Sequence, residues 1–171
     1  MGKRDVMQNA PGYKVEFHPP EMFGVLLNHE VNRSRRYGDS LTLVNLLVEA
    51  EGLDAGALQH ADAILAEVLA RHLRETDVLC KQGHEFLILM TSTSAPGART
   101  ACERVRKLIP AEQRSGDGVP LKLSAYIGMA SLPGDRSING NEFMREASAA
   151  MRYARENHCA SVVAFSEMPR Q

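Results

Sequence analysis

The clearest pattern of apolar and polar positions lies between Arg74 and Thr91, in the sequence RETDVLCKQGHEFLILMT. Two apolar runs, Val78–Cys80 and Phe86–Met90, flank a polar segment that contains Gly83. Because glycine accepts the positive φ angles of tight turns, this pattern predicts two strands joined by a short turn. The second run is apolar at every position, which is typical of a strand covered on both faces. The sequence therefore predicts a buried hairpin with a polar tip at one end of a sheet.

The rest of the chain alternates between helical and extended patterns. Apolar residues recur every three to four positions in amphipathic helices and form continuous runs in buried strands. On this basis helices are predicted over residues 21–37, 57–73, 96–109 and 141–157, and further strands over 41–48, 121–131 and 161–165. Gly38 is expected to end the first helix as a left-handed cap, and residues 110–120 are predicted to be a loop.

The predicted order is α-β-α-β-β-α-β-α-β, and its middle part is a βαββαβ unit. This unit is the ferredoxin-like arrangement, an antiparallel sheet with helices on one face. Right-handed crossovers bring the first and third strands of the unit to the centre of the sheet. The prediction is therefore an α+β domain over residues 21–166, with a ferredoxin-like core, an N-terminal helix and a C-terminal αβ extension. Residues 1–20 are predicted to be a flexible leader, and residues 167–171 a tail.

Composition narrows the classes of function. The formal net charge is −1, which argues against a nucleic-acid partner. No apolar run approaches the roughly 20 residues of a membrane span, and the N-terminus lacks the apolar region of a signal peptide, so no membrane association is expected. The three cysteines, Cys80, Cys102 and Cys159, are widely spaced and odd in number. This usage is typical of reduced thiols, so a cytoplasmic location is expected.

Several segments resemble a known family. RETD followed by KQGHEF occupies the place of that family's R-x-x-D and G-G-D-E-F motifs, and YIGMA at residues 126–130 is similar to its S-I-G-x-A strand. Residues 142–165 are similar to its last helix and strand, and the spacing from Phe23 to Leu41 agrees with its first helix and strand. Over residues 21–166 the chain thus resembles the GGDEF domains, the diguanylate cyclases that condense two GTP molecules into cyclic di-GMP. The resemblance implies the nucleotide-cyclase-like GGDEF fold.

The signature pentapeptide departs from the family pattern. It is written here Gln82–Gly83–His84–Glu85–Phe86, so Gln replaces the first Gly and His replaces the Asp. In the family the turn lets the backbone approach the GTP phosphates, and a side chain at Gln82 would hinder that approach.

The family also requires carboxylates that bind magnesium, and most of them are missing here. Leu47 or a close neighbour takes the place of one at the end of the first core strand, Glu49 stands in for a second, and Glu85 remains. Magnesium demands oxygen ligands in near-octahedral geometry, and one carboxylate does not hold the two ions that align an attacking hydroxyl. The departures imply that the protein is not an enzyme, has no metal site and requires no cofactor.

Parts of the nucleotide site survive. Asp62 matches the family's guanine-contacting Asp, and Arg155 replaces a phosphate-binding Lys, although Ser148 replaces an Asp of the last helix. Arg can still pair with a phosphate, so Asp62 and Arg155 are interpreted as a vestigial nucleotide site.

Arg74 and Asp77 match the family's product-binding R-x-x-D motif. In the family these two residues grip cyclic di-GMP, with the guanidinium reading a guanine edge. Four residues separate Asp77 from Gln82, whereas the family has five. One missing residue reverses the faces of a strand unless a bulge absorbs it. The same Arg and Asp would also suit an ordinary helix end followed by a strand.

Three functions remain open at this point. The first is a catalytically inactive regulatory domain that binds cyclic di-GMP through Arg74 and Asp77. The second is a protein-interaction module that binds a protein partner or a second copy of the chain as a homodimer. The third is a divergent nucleotide enzyme that uses Glu49, Asp62 and Glu85.

Two other kinds of site are not favoured. Adjacent strand residues point to opposite faces, so His84 and Glu85, even with His60 nearby, are not expected to bind one metal ion. Cys80 lies in an apolar strand, where a thiol is usually inert.

Overall fold

The computed structural model describes residues 16–51, 55–109, 112–114, 118, 120–133 and 137–170. The helices are α1 (Pro20–Tyr37), α2 (Ala55–His72), α3 (Ala95–Leu108) and α4 (Gly140–Glu156), and the strands are β1 (Phe17–His18), β2 (Leu41–Glu51), β3 (Val78–Gln82), β4 (Glu85–Thr91), β5 (Glu112–Arg114), β6 (Pro120–Leu132) and β7 (Val163–Ala164). The predicted order of helices and strands is confirmed, with β1 and β5 as additions. Within this part of the chain, no helix is long and apolar enough to cross a membrane.

The strands form one sheet in the order β1-β3-β4-β2-β6-β5, and β7 pairs with β6 outside this path. β2 pairs antiparallel with β4 on one side and with β6 on the other. The first and third strands of the βαββαβ unit are therefore central, as predicted. The parallel pairs are the short additions at the edges, β1 with β3 and β7 with β6.

Helices cover both faces of this sheet. Val44, Leu46 and Val48 of β2 pack in one core cluster with α2 and α3, while Leu41 and Leu43 pack in a second cluster with α1 and α4. The prediction of helices on one face is confirmed for α2 and α3, the crossover helices of the ferredoxin-like core. The two additional helices cover the opposite face, so β2 is buried on both sides.

Local signals explain where the helices begin and end. The Gly38 φ angle is +76°, and its N–H donates to the Ser34 carbonyl oxygen at 2.8 Å, so this glycine is the predicted left-handed cap. Asn139 and Glu142 form a capping box at the start of α4, each side chain accepting a hydrogen bond from the backbone N–H of the other. The capping box fixes the start of α4, which supplies part of the candidate site.

Several predicted boundaries need correction. The predicted leader reached residue 20, but Phe17–His18 pair with β3 and α1 begins at Pro20; residues 1–15 lie outside the described residues. Residues 112–114, predicted within a loop, pair with β6. The last strand is shorter than predicted and is followed by a 3-10 turn at Phe165–Glu167. These short pieces owe their structure to a neighbouring strand or helix and carry no periodicity of their own.

Helix α4 lies very close to the sheet at Gly128 of β6. A Cβ atom built on Gly128 would lie 2.0 Å from the Met151 backbone nitrogen and 2.5 Å from the Ala150 carbonyl carbon. Real side chains do not tolerate such distances, so only glycine lets α4 lie this close to β6.

We expect Gly128→Ala to lower the free energy of unfolding by roughly 2–3 kcal/mol, because α4 must move away from β6. The measurement is denaturation by guanidinium chloride. Gly24→Ala is the matched control: Gly24 lies in α1 with nothing within 4 Å of a built Cβ, so this change should be neutral or stabilising by up to about 1 kcal/mol. Equal stability of Gly128→Ala and the wild type would contradict the close contact.

Candidate functional site

The signature pentapeptide forms the predicted hairpin. β3 ends at Gln82 and β4 begins at Glu85, and these two residues are paired across the ladder. The loop consists of Gly83 and His84, and Gly83 has a φ of +61°, the conformation for which glycine was expected. Phe86 is fully buried and packs edge-to-face on Phe17, with ring centroids 6.0 Å apart. The short strand β1 thus covers the base of the hairpin.

Glu85 points to the face covered by α1 and α4, which it shares with Leu87 of the same strand. Its Oε2 atom accepts a hydrogen bond of 2.8 Å from the Asn45 side-chain amide in the neighbouring strand β2. The same amide nitrogen donates to Ser148 Oγ of α4 at 3.1 Å. The carboxylate that the resemblance assigned to magnesium is therefore held by a neutral donor of the protein.

The end of β2 supplies a second contact on this face. Leu47 is opposite Glu85 in the β2–β4 ladder and is buried. Two residues further, the Glu49 carboxylate forms an ion pair of 2.5 Å with Arg155 Nε of α4. The acid that stood in for a metal ligand and the cation that stood in for a phosphate ligand thus bind each other.

These side chains do not fit a bound magnesium ion. The Leu47 side chain has no oxygen that could bind the ion. The Glu49 carboxylate is paired with the Arg155 guanidinium, and the Glu85 carboxylate accepts a hydrogen bond from the Asn45 amide. Magnesium requires several oxygen ligands in near-octahedral geometry, and Glu85 is the one carboxylate among these three side chains that has no cationic partner among the described residues. Within the described part of the chain, no three His, Cys, Asp or Glu side chains come together as a metal site.

Asp62 makes its contacts from α2, on the opposite face of the sheet. Its Oδ2 atom lies 2.9 Å from His84 Nδ1 and 3.1 Å from Lys81 Nζ, and the residue is 6% exposed. The carboxylate interpreted as the guanine ligand is thus covered by the hairpin tip. Asp62 and Arg155 are not brought into one contact: Asp62 binds the hairpin, and Arg155 binds Glu49.

His84 and Glu85 point to opposite faces, as the strand geometry predicts. His84 contacts Asp62, whereas Glu85 contacts Asn45. His60 Nε2 is buried and has no hydrogen-bond partner among the described residues. Burial raises the pKa of the Cys80 thiol to about 11, with the nearby Glu21 charge acting in the same direction. That thiol is therefore protonated at neutral pH and is a poor nucleophile.

Arg74 and Asp77 form a tight turn before β3. The Arg74 N–H donates to Asp77 Oδ2 at 3.0 Å, and the Asp77 N–H donates to the Arg74 carbonyl oxygen at 3.0 Å. The Arg74 side chain is exposed, and its Nη2 donates to Thr93 Oγ1 at 2.8 Å. Asp77 is buried, so its carboxylate contacts the backbone of the turn rather than solvent.

No bulge in the β3–β4 ladder compensates for the residue that is missing between Asp77 and the hairpin tip. The β3–β4 ladder runs without interruption from Val78 opposite Leu89 to Gln82 opposite Glu85. The turn at Arg74 and Asp77 therefore stands in a different register to the hairpin tip than the family's R-x-x-D does to its G-G-D-E-F.

Sequence reasoning missed Asn45, the residue that organises the Glu85 contact. The available signal was a single polar residue inside the otherwise apolar run at Leu43–Val48. It also missed Lys81 and Thr93, which bind Asp62 and Arg74.

Asp77 makes the stability of the turn dependent on pH. Burial raises the pKa of its carboxyl group, and the hydrogen bond and charge of Arg74 only partly oppose this. In the unfolded chain the group keeps its ordinary value of 3.8. A raised folded pKa contributes stability that is present below the ordinary value and is lost as pH rises through the folded pKa.

We therefore expect Asp77→Asn to be more stable than the wild type at about pH 7 and to lose this advantage towards about pH 4, since Asn keeps an acceptor oxygen but does not ionise. The measurement is thermal unfolding across this range. Glu75→Gln removes a charge from an exposed side chain of the same turn and serves as the control. A wild type that is more stable than Asp77→Asn at pH 7 would contradict the expectation.

Comparison with known proteins agrees with this architecture. Residues 58–160 match the family model described as diguanylate cyclase, GGDEF domain. The GGDEF domain of TpbB, also called YfiN, from Pseudomonas aeruginosa has a TM-score of 0.76 at 19% identity, covering 89% of this chain and 92% of that one. The GGDEF domain of DgcB from Caulobacter crescentus, solved with cyclic di-GMP, has a TM-score of 0.74 at 15% identity, covering 98% and 97%.

A third solved structure is the diguanylate cyclase SiaD in complex with its activator SiaC, from Pseudomonas aeruginosa. Its TM-score is 0.73 at 23% identity, covering 92% of this chain and 62% of that one. No curated protein sequence matches the chain. These identities show a shared fold, and the family model spans more than half of the 171 residues. The chain belongs to the GGDEF family of diguanylate cyclase domains.

Proposed function

We propose that this GGDEF domain is a catalytically silent regulatory domain that does not convert GTP into cyclic di-GMP. The observation that carries the proposal is the set of contacts around Glu85 and Glu49. Glu85 accepts a hydrogen bond from Asn45, and Glu49 forms an ion pair with Arg155. Leu47 lies on the same face of the sheet, opposite Glu85 and two residues before Glu49.

Condensing two nucleotides requires a hydroxyl to attack a phosphate while negative charge develops on the leaving oxygens. Divalent cations align these groups and neutralise the charge, and they need oxygen ligands to do so. Here the carboxylates at the hairpin and at the end of β2 already have protein partners. Any nucleotide would also have to displace His84 and Lys81 to reach Asp62. These contacts weigh against the divergent nucleotide enzyme.

Incubation of the purified protein with GTP and Mg²⁺ or Mn²⁺ should leave GTP unchanged, because among the described residues the two carboxylates at this site already have protein partners and Leu47 offers no oxygen. The measurement is chromatography of the nucleotides after a long incubation, with a diguanylate cyclase of known activity as positive control. Formation of cyclic di-GMP or its linear precursor at a rate proportional to protein concentration would overturn catalytic silence.

We propose further that the domain binds cyclic di-GMP through the turn at Arg74. The Arg74 side chain is exposed, and one of its N–H groups donates a hydrogen bond to the Thr93 hydroxyl oxygen. The Thr93 hydroxyl group itself donates to the Thr91 carbonyl oxygen. The other guanidinium N–H groups can bind the two acceptors of a guanine edge. In this proposal Asp77 holds the backbone of the turn and so orients Arg74.

Calorimetric titration with cyclic di-GMP should give a dissociation constant below ~100 μM for the wild type, and at least about tenfold weaker binding for Arg74→Ala, because a charge-assisted bidentate contact is lost. Arg71→Ala is the matched control. Arg71 lies one helical turn earlier and is paired with Glu67 on an exposed surface, so its removal should leave the affinity unchanged. Absence of binding by the wild type would remove the receptor role.

A protein-interaction role is the second candidate, and it survives if cyclic di-GMP does not bind. Apolar side chains on α1 favour it, since Met22 is 48% exposed and Val25 is 64% exposed. These residues lie three positions apart, so they share one side of the helix. The occupant would be a protein partner or a second copy of the chain. We also propose a cytoplasmic location, which the three free cysteines support.

A further inference from the structure

Asn45 is a fully buried polar residue in the middle of an apolar strand. It is 0% exposed, and both of its neighbours along β2 belong to the apolar core. Burial of an amide without hydrogen-bond partners is unfavourable, so a compensating interaction is expected at this position. Its neighbour across the sheet is Gly128, which leaves room for α4 and for the Asn45 side chain.

The amide has a defined orientation. Both N–H groups are used, one by Glu85 Oε2 and one by Ser148 Oγ, whereas Oδ1 is buried without a partner among the described residues. Exchanging the oxygen and nitrogen would place a carbonyl oxygen against the Glu85 carboxylate, which is repulsive. The negative charge of Glu85 therefore fixes the side of the amide that faces it.

We propose that the Asn45 amide takes the place of a divalent cation beside Glu85, and that this contact keeps Glu85 from binding Mg²⁺ or Mn²⁺. The inference rests on the proposed catalytic silence and names the residue that maintains it. The amide supplies partial positive charge to Glu85 from a fixed position, while Ser148 accepts its second hydrogen. A cation would have to displace this donor and would meet Leu47, which is opposite Glu85 in the β2–β4 ladder.

A single substitution tests whether the Asn45 amide occupies a position that suits a cation. Asn45→Asp has nearly the same shape but places a second carboxylate within hydrogen-bond distance of Glu85. Two carboxylates this close repel each other unless a proton or a cation lies between them. With Ser148 Oγ they would offer three oxygen ligands, the donor type that Mn²⁺ and Mg²⁺ accept. If the position beside Glu85 is not suited to a cation, the variant gains no response to cations.

The experiment is thermal unfolding of the full chain in EDTA and in a titration with Mn²⁺. The wild type should show no Mn²⁺-dependent shift. Asn45→Asp should unfold at a lower temperature than the wild type in EDTA and should rise by at least about 4 °C at saturating Mn²⁺. The double variant Asn45→Asp/Glu85→Gln removes the second carboxylate, so it should lose the Mn²⁺ response.

Several results would overturn the assignment. They are a saturable Mn²⁺ shift in the wild type, an Asn45→Asp protein that responds no more than the double variant, or an Asn45→Asp protein that stays unfolded with and without Mn²⁺. A variant that folds only with Mn²⁺ supports it. Bound Mn²⁺ can be counted independently by electron paramagnetic resonance, where the wild type should leave the ion free.

The failure of this assignment is distinguishable from the failure of the proposed function. Cyclic di-GMP synthesis by the wild type would refute catalytic silence whatever the Asn45→Asp protein does. A silent wild type whose Asn45→Asp variant ignores Mn²⁺ would refute only the role of Asn45.

Discussion

The contact between α4 and β6 at Gly128 determines much of the rest of the structure. Because Gly128 has no side chain, the helix backbone lies directly on the sheet. Ser148 and Arg155 are seven residues apart on α4, which is about two helical turns, so both point to the same side. At this distance Ser148 reaches Asn45 and Arg155 reaches Glu49 on the adjacent strand. A helix held farther from the sheet would separate Asn45 from Ser148 and Glu49 from Arg155.

The hairpin is held from both faces of the sheet because its side chains alternate. His84 contacts Asp62 of α2, and the next residue, Glu85, contacts Asn45 of β2. β1 adds a third contact through Phe17, which packs on Phe86. These three contacts hold the hairpin in place, and a nucleotide that bound beneath the hairpin would have to break them. The groups by which the resemblance implied nucleotide and metal binding are the same groups that provide the supports.

Sequence reasoning succeeded where a signal is local and failed where a contact joins distant residues. The hairpin, the left-handed Gly38 and the order of helices follow from apolar periodicity and from glycine, which act within a few positions. Asn45 was missed because its partners lie 40 and 103 residues away. Only the sheet register and the position of α4 bring them together. β1 and β5 were missed for a related reason, since strands of two and three residues exist only through pairing.

The two contacts on the α4 face differ in their contribution to stability, and this difference indicates which of them a ligand can displace more easily. The Glu49–Arg155 pair is partly exposed, with 35% and 55% of the side chains accessible, and such pairs contribute at most about 1 kcal/mol. It can open at little cost if an anion competes for Arg155. The hydrogen bond from Asn45 to Glu85 joins a fully buried amide to a carboxylate, and breaking it leaves a buried donor unsatisfied. Breaking the contact between Asn45 and Glu85 therefore costs more than opening the pair between Glu49 and Arg155. Under the proposed catalytic silence, the domain keeps a guanidinium that a phosphorylated ligand can reach, whereas a cation meets a firmly held amide beside Glu85.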